Sequence, residues 1–144
     1  MRAILDANIL VSAVIKTEGK PAQILRRATI EFDWLTSEYL IAEVARVLIR
    51  PRIQKLYAEF VAVERRMGFL ARMRDEAEMV AVKRTVDPAS RDAHDDPILA
   101  SAADGHADYI VTGDLDLLTL GEFEGIQIVT PVQFLKILDA ARAE

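Results

Sequence analysis

Arg2-Ala3-Ile4-Leu5-Asp6-Ala7-Asn8-Ile9-Leu10 is a short apolar run that stops on an acid, and Tyr109-Ile110-Val111-Thr112-Gly113-Asp114-Leu115-Asp116 repeats the device near the other end. Each reads as a buried strand with a carboxylate at its carboxyl end. In an open parallel sheet, ligands gather at those ends, because the loops there leave a crevice. Two strands that both finish in acid therefore predict one acidic pocket.

Working outward, residues 2–6 form the first strand. Ile9-Leu10-Val11 and Ala13-Val14-Ile15 predict a short helix entering the core, and Gly19-Lys20-Pro21 breaks the chain. Pro21 suits the first turn of a helix that runs to about Ile30. Asp33-Trp34-Leu35-Thr36 predicts a second strand, and Ser37 caps a helix in which Leu40, Val44, Val47 and Leu48 keep helical spacing. Arg50-Pro51 ends or kinks that helix. Residues 51–78 read as helical and highly charged, with Gly68 as their one glycine. Met79-Val80-Ala81-Val82 predicts a third strand and Asp87-Pro88-Ala89-Ser90 a loop. Asp96-Pro97 opens a helix to about Ala103, with Asp as N-cap and Pro at the first helical position. Residues 108–112 and 126–129 are the fourth and fifth strands, and Pro131 starts the last helix. Strands alternating with helices predict an α/β fold, a mainly parallel five-stranded sheet with helices on both faces.

The chain has 144 residues, half of them hydrophobic and 28% charged, without a cysteine. That is the length of one domain and the balance of an ordinary soluble protein. Disulfides and thiolate metal sites are excluded, and no apolar run reaches the ~20 residues that span a bilayer. The apolar N-terminus is interrupted by Asp6 and Asn8 and does not read as a signal peptide. A cytoplasmic protein with no membrane association is the expectation. The formal net charge of −5 equals the charge of Asp6, Glu43, Asp96, Asp114 and Asp116 together, so the rest of the surface is balanced and a nucleic-acid partner is not excluded.

Taken singly, each acid has an ordinary explanation. Glu43, on the edge of the stripe made by Leu40 and Val44, can pair with Arg46 or Arg50 on the same helix flank. Asp96 suffices as an N-cap, and Asp6 before Asn8 and Ser12 can cap its own helix. Asp114 and Asp116 can shape a Gly-Asp turn. Together they say more. Two carboxylates about 4 Å apart repel by roughly 4 kcal/mol at an effective dielectric of 20, so several in one crevice demand protons or a cation. Hard oxygen donors without cysteine select Mg²⁺ or Mn²⁺, and His94 and His106 lack the partner spacing of a zinc site. An acid cage with open metal positions suits phosphodiester hydrolysis. Asn8, Ser12 and Thr112 are the polar residues placed to orient the carboxylates or water.

These residues, in this order, resemble the PIN-domain ribonuclease family, specifically the VapC-like toxins of prokaryotic toxin–antitoxin systems. The resemblance runs from Leu5-Asp6-Ala7-Asn8 through Leu40-Ile41-Ala42-Glu43-Val44 and Asp95-Asp96-Pro97-Ile98-Leu99-Ala100 to Thr112-Gly113-Asp114-Leu115-Asp116 and the last strand and helix. It implies a single PIN-like domain over 1–144, a three-layer α/β/α sandwich. Asp6, Glu43, Asp96 and Asp114 are by that pattern the catalytic metal acids, with Asp116 beside them as a further ligand and Asn8, Ser12 and Thr112 as supporting polar positions. Ala7 stands where the family often has Thr, and Leu117 where it often has an aromatic residue. The implied activity is Mg²⁺- or Mn²⁺-dependent endonucleolytic cleavage of single-stranded RNA, leaving 5′-phosphate and 3′-hydroxyl ends. The implied partners are a second copy of the chain and a small antitoxin whose segment covers the acidic groove. Arg46, Arg50, Arg52 and Lys55 follow Glu43 closely enough to guide RNA phosphates, or else form a solvated helix face.

Two other functions are weighed. A phosphatase with Asp6 as covalent nucleophile, as in haloacid dehalogenase-like folds, needs an Asp at the position of Asn8. A non-catalytic regulatory or scaffold protein would keep the fold and bind a partner or RNA through the groove.

Overall fold

A computed structural model describes residues 1–87 and 89–144. The loop expected across Pro88 lies in part outside the described residues. In chain order the elements are β1 (Arg2–Leu5), α1 (Ala7–Ile15), α2 (Lys20–Arg27), β2 (Asp33–Thr36), α3 (Glu38–Leu48), α4 (Pro51–Leu56), α5 (Val63–Glu76) and β3 (Glu78–Met79). A single 3₁₀ turn (Ala93–Asp95) is followed by α6 (Pro97–Asp104), β4 (Tyr109–Val111), α7 (Leu115–Leu120), β5 (Glu122–Phe123), β6 (Ile126–Val129) and α8 (Pro131–Arg142).

Among the described residues, six strands lie in the order β3-β2-β1-β4-β6-β5. Every neighbouring pair is parallel except β5–β6. Ala3, Ile4 and Leu5 are wholly buried in succession, so both faces of β1 are covered, as a central parallel strand requires. The mainly parallel sheet and its flanking helices make the expected three-layer α/β/α sandwich. The chain leaves β1 toward β2 and β3 on one side and returns on the other as β4. The carboxyl ends of β1 and β4 therefore flank a topological switch point, where such sheets open their ligand crevice.

The caps read from sequence form. Ser37 Oγ accepts from the Leu40 N–H, Asp96 Oδ1 from the Ile98 N–H, and Asp6 Oδ1 from the Ala7 N–H. Four elements differ from expectation, the first being α7, a six-residue helix that starts where Asp114 and Asp116 read as a turn in the sequence. The sheet has six strands rather than five, because Glu122–Phe123 folds back antiparallel on Ile126–Val129. Glu124 and Gly125 both have positive φ (50° and 84°), the two-residue hairpin turn whose twist matches that of its strands. The helical stretch expected over 51–78 is broken at 57–62, where Val61 dives into the core at 1% exposure. The third strand occupies only Glu78–Met79, and 80–82 carry no regular structure.

Candidate active site

Strand register builds the site. Leu5 of β1 is paired with Val111 of β4, so the next residues, Asp6 and Thr112, stand side by side at the strand ends. The Asp6 N–H donates to the Val111 carbonyl (3.0 Å), and Thr112 Oγ1 donates to Asp6 Oδ2 (2.7 Å). The same Thr112 oxygen accepts the Asp114 N–H at 3.0 Å. Ile4 is paired with Leu35 of β2, which brings Ser37 and the start of α3 up to the same edge. Tyr39 lies in the first turn of α3 and Glu43 in the second.

Asp6, Asn8, Tyr39, Glu43, Asp96 and Asp114 line one cavity of ≈ 190 Å³, closed on its apolar side by Ala7, Ile98 and Leu117. Four of the five acids read from sequence thus come together from four different elements. Asp116 does not line the cavity; it sits exposed in the first turn of α7, and its N–H donates to Asp114 Oδ1 (2.8 Å). Ser12 lies within α1 and does not line it either. The three neighbouring acids before Pro97 separate cleanly: Asp92 caps the 3₁₀ turn, Asp95 lies within it, and Asp96 faces the cavity. Thr112 is fully buried, and its hydroxyl joins the Asp6 carboxylate to the Asp114 backbone N–H. Arg46, Arg50, Arg52 and Lys55 are all exposed, on α3 and α4 and the bend between them.

Burial raises the Asp6 carboxyl above its ordinary 3.8; hydrogen bonds from Thr112 and Ala7 oppose this, and the charges of Asp114 and Asp96 add to it. Tyr39 was missed by sequence reading. Its hydroxyl is raised above 10.0 by burial and then by Glu43, Asp96 and Asp6, so it stays a protonated donor at neutral pH. The available signal was its place four residues before Glu43, on the same flank of α3.

The cavity lining contains no Lys, Arg or His. Four carboxylates share it, and among the described residues the one cation paired with any of them is Arg46, whose Nη2 meets both Glu43 oxygens at 2.5 Å from an exposed position. The bland reading of Glu43 is therefore realised, although the residue also lines the cavity. Among the described residues, no three His, Asp or Glu side chains are arranged to enclose an ion as they stand. The donor chemistry nevertheless fits a hard divalent cation: every ligating atom is oxygen, the charge is unbalanced, and each carboxylate has lone pairs beyond those its cap uses.

The chain belongs to the PIN-domain family, whose model matches residues 2–116 and whose members are generally nucleases. Among solved structures, the fold is similar to a chain in the crystal structure of VapBC2 from Rickettsia felis bound to a DNA fragment from their promoter. That likeness has a TM-score of 0.59 at 14% identity and covers 90% of this chain and 98% of that one. No curated protein matches the sequence. No helix among the described residues is long and apolar enough to cross a membrane. PIN membership sets aside the haloacid dehalogenase-like reading.

Proposed function

We propose that this chain is a metal-dependent endoribonuclease acting on single-stranded RNA, the VapC-like toxin of a toxin–antitoxin pair. One observation carries the reading: carboxylates at the end of β1, on α3 and at the caps of α6 and α7 converge on a cavity without a cation in its lining, and burial together with its neighbours' charge holds Asp6 above its ordinary pKa there. Asp6, Glu43, Asp96 and Asp114 are the residues that would hold Mg²⁺ or Mn²⁺, with Asp116 able to join only from outside the cavity. When bound, the ion supplies charge neutralisation at phosphate and a more acidic water.

The chain's own residues do the rest. Thr112 fixes the Asp6 carboxylate against rotation and links it to the α7 cap. Asn8, next to Asp6 on the rim, offers a neutral donor and acceptor to water or phosphate. Arg46, Arg50, Arg52 and Lys55 supply the sequence-independent attraction for the RNA backbone. A small antitoxin covering the groove and a homodimer complete the proposed assembly.

The Glu43–Arg46 ion pair favours a second reading, a non-catalytic PIN-fold protein, because it partly neutralises the site without a metal. Incubating the protein with a mixed single-stranded RNA pool and Mn²⁺, with and without a chelator, separates the two. Cleavage that the chelator abolishes is the expected result, and intact RNA under both conditions would favour the scaffold.

A further inference from the structure

The acidic cavity has a neighbour. Tyr39, 37% exposed, also lines a second cavity of ≈ 330 Å³, whose other walls include Val80, Val82, Val86, Pro97 and Ser101. Pro97 follows Asp96 directly, so the two cavities adjoin at both Tyr39 and the start of α6. The valine wall belongs to the chain that follows β3, and it is held in place. The Val80 N–H donates to the Thr36 carbonyl (2.8 Å), and the N–H groups of Lys83 and Arg84 donate to Asp104 Oδ2 (2.8 and 3.2 Å).

The charges around this cavity are already matched. Arg84 pairs with Asp104 and Glu124, and Glu38 pairs with Arg74. What is left is a neutral, mainly apolar slot of ligand-pocket size with an aromatic ring in its wall. Such a slot does not suit phosphate; it suits a flat, uncharged group. A single strand that lays a phosphate against the carboxylates must put its adjacent bases somewhere close by, and unpaired bases stack on exposed aromatic rings.

We propose that this second cavity is a base-binding subsite for a nucleotide flanking the scissile phosphate of single-stranded RNA, with Tyr39 as its stacking wall. The assignment rests on the nuclease reading above and adds what that reading lacks, a source of base preference.

The test scans a single abasic nucleotide through a short single-stranded RNA that the protein cleaves, and measures kcat/KM at each position for wild-type, Ala81→Phe, Tyr39→Phe and Tyr39→Ala. Ala81 is exposed and lines the slot but not the acidic cavity, so Ala81→Phe fills the subsite without touching the carboxylates or the core. Wild-type is expected to lose about tenfold or more at one flanking position. Ala81→Phe and Tyr39→Ala should cleave intact RNA at that lowered level and show no further abasic penalty, whereas Tyr39→Phe, which keeps the ring, should retain the abasic penalty at that position whatever the loss of its hydroxyl does to the overall rate. Equal cleavage of all abasic substrates by wild-type, or an undiminished penalty in Ala81→Phe, overturns the subsite. If no RNA is cleaved, fluorescence anisotropy with the same labelled RNAs decides separately. Binding weakened by one abasic position and by Ala81→Phe supports the slot while the nuclease reading fails; absence of binding overturns both.

Discussion

Thr112 Oγ1 donates to Asp6 Oδ2 at 2.7 Å while it accepts the Asp114 N–H at 3.0 Å, so one buried hydroxyl joins the ends of β1 and β4 to the cap of α7. Thr112→Val keeps the volume and removes both bonds. It leaves a backbone N–H unpaired beside the cavity, and a loss of about 1–3 kcal/mol in denaturant unfolding is expected. Because the Thr112 bond lowers the Asp6 pKa, the variant's Asp6 should titrate higher by NMR. Thr112→Ser retains the hydroxyl and should leave that titration close to wild-type.

Asp6 itself sets the pH behaviour of the metal-free protein. Its folded-state pKa is raised above 3.8, so ionising it disfavours the folded state. Stability therefore falls as pH rises from 3.8 through the raised value, and Asp6→Asn removes that fall. At neutral pH the metal-free Asp6→Asn protein is expected to melt no lower than wild-type. Millimolar Mn²⁺ should raise the wild-type Tm by mass action and leave the variant's unchanged. Equal Mn²⁺ shifts in both proteins would remove Asp6 from the metal set.

A second carboxylate works in the opposite direction. Glu31 takes ion pairs from Arg27 at the end of α2 and Arg142 at the end of α8, which hold its carboxyl down from 4.5 to about 2. A depressed carboxyl contributes stability that is complete above 4.5 and disappears as pH falls through about 2. Glu31→Gln should lower Tm at neutral pH and narrow its difference from wild-type across that interval, as calorimetry at stepped pH would record. A constant difference down to pH 2 would contradict the ion-pair account.

Glu43 is the acid with two suitors, the cavity and Arg46. If the proposed metal takes it, Glu43→Gln should lower Mn²⁺ affinity in calorimetric titration. Arg46→Ala should raise that affinity, because it frees the carboxylate. If the ion pair is the residue's whole role, both variants should lose a similar, small amount of stability and neither should alter metal binding.

How much of this was legible followed the range of the forces involved. The caps at Asp6, Ser37 and Asp96 are local, so residue type and the next two or three positions disclosed them. Asp6 and Asp114 could be gathered because each follows a short apolar run that reads as a strand of a parallel sheet, and the family resemblance added Glu43 and Asp96. The antiparallel β5–β6 hairpin was hidden because its turn uses Glu124 at positive φ, where Asn or Asp would have signalled it. α7 was hidden because Gly113-Asp114 reads as a turn, whereas Asp114 starts a six-residue helix. The break at 57–62 depends on burying Val61, a tertiary effect. Tyr39 matters through two cavities that exist only once α3, α6 and the chain after β3 are packed together.

The central claim is that the four converging carboxylates hold a divalent ion that cleaves RNA. The most direct measurement is the cleavage rate of one single-stranded RNA at saturating Mn²⁺ by wild-type, Asp6→Asn, Asp96→Asn and Asp116→Asn, each confirmed as folded by circular dichroism. The account predicts a loss of at least about a hundredfold for Asp6→Asn and Asp96→Asn, the scale on which removal of a key electrostatic group acts in catalysis. It predicts a much smaller effect for Asp116→Asn, which stands outside the cavity. Wild-type rates in Asp6→Asn and Asp96→Asn would contradict it.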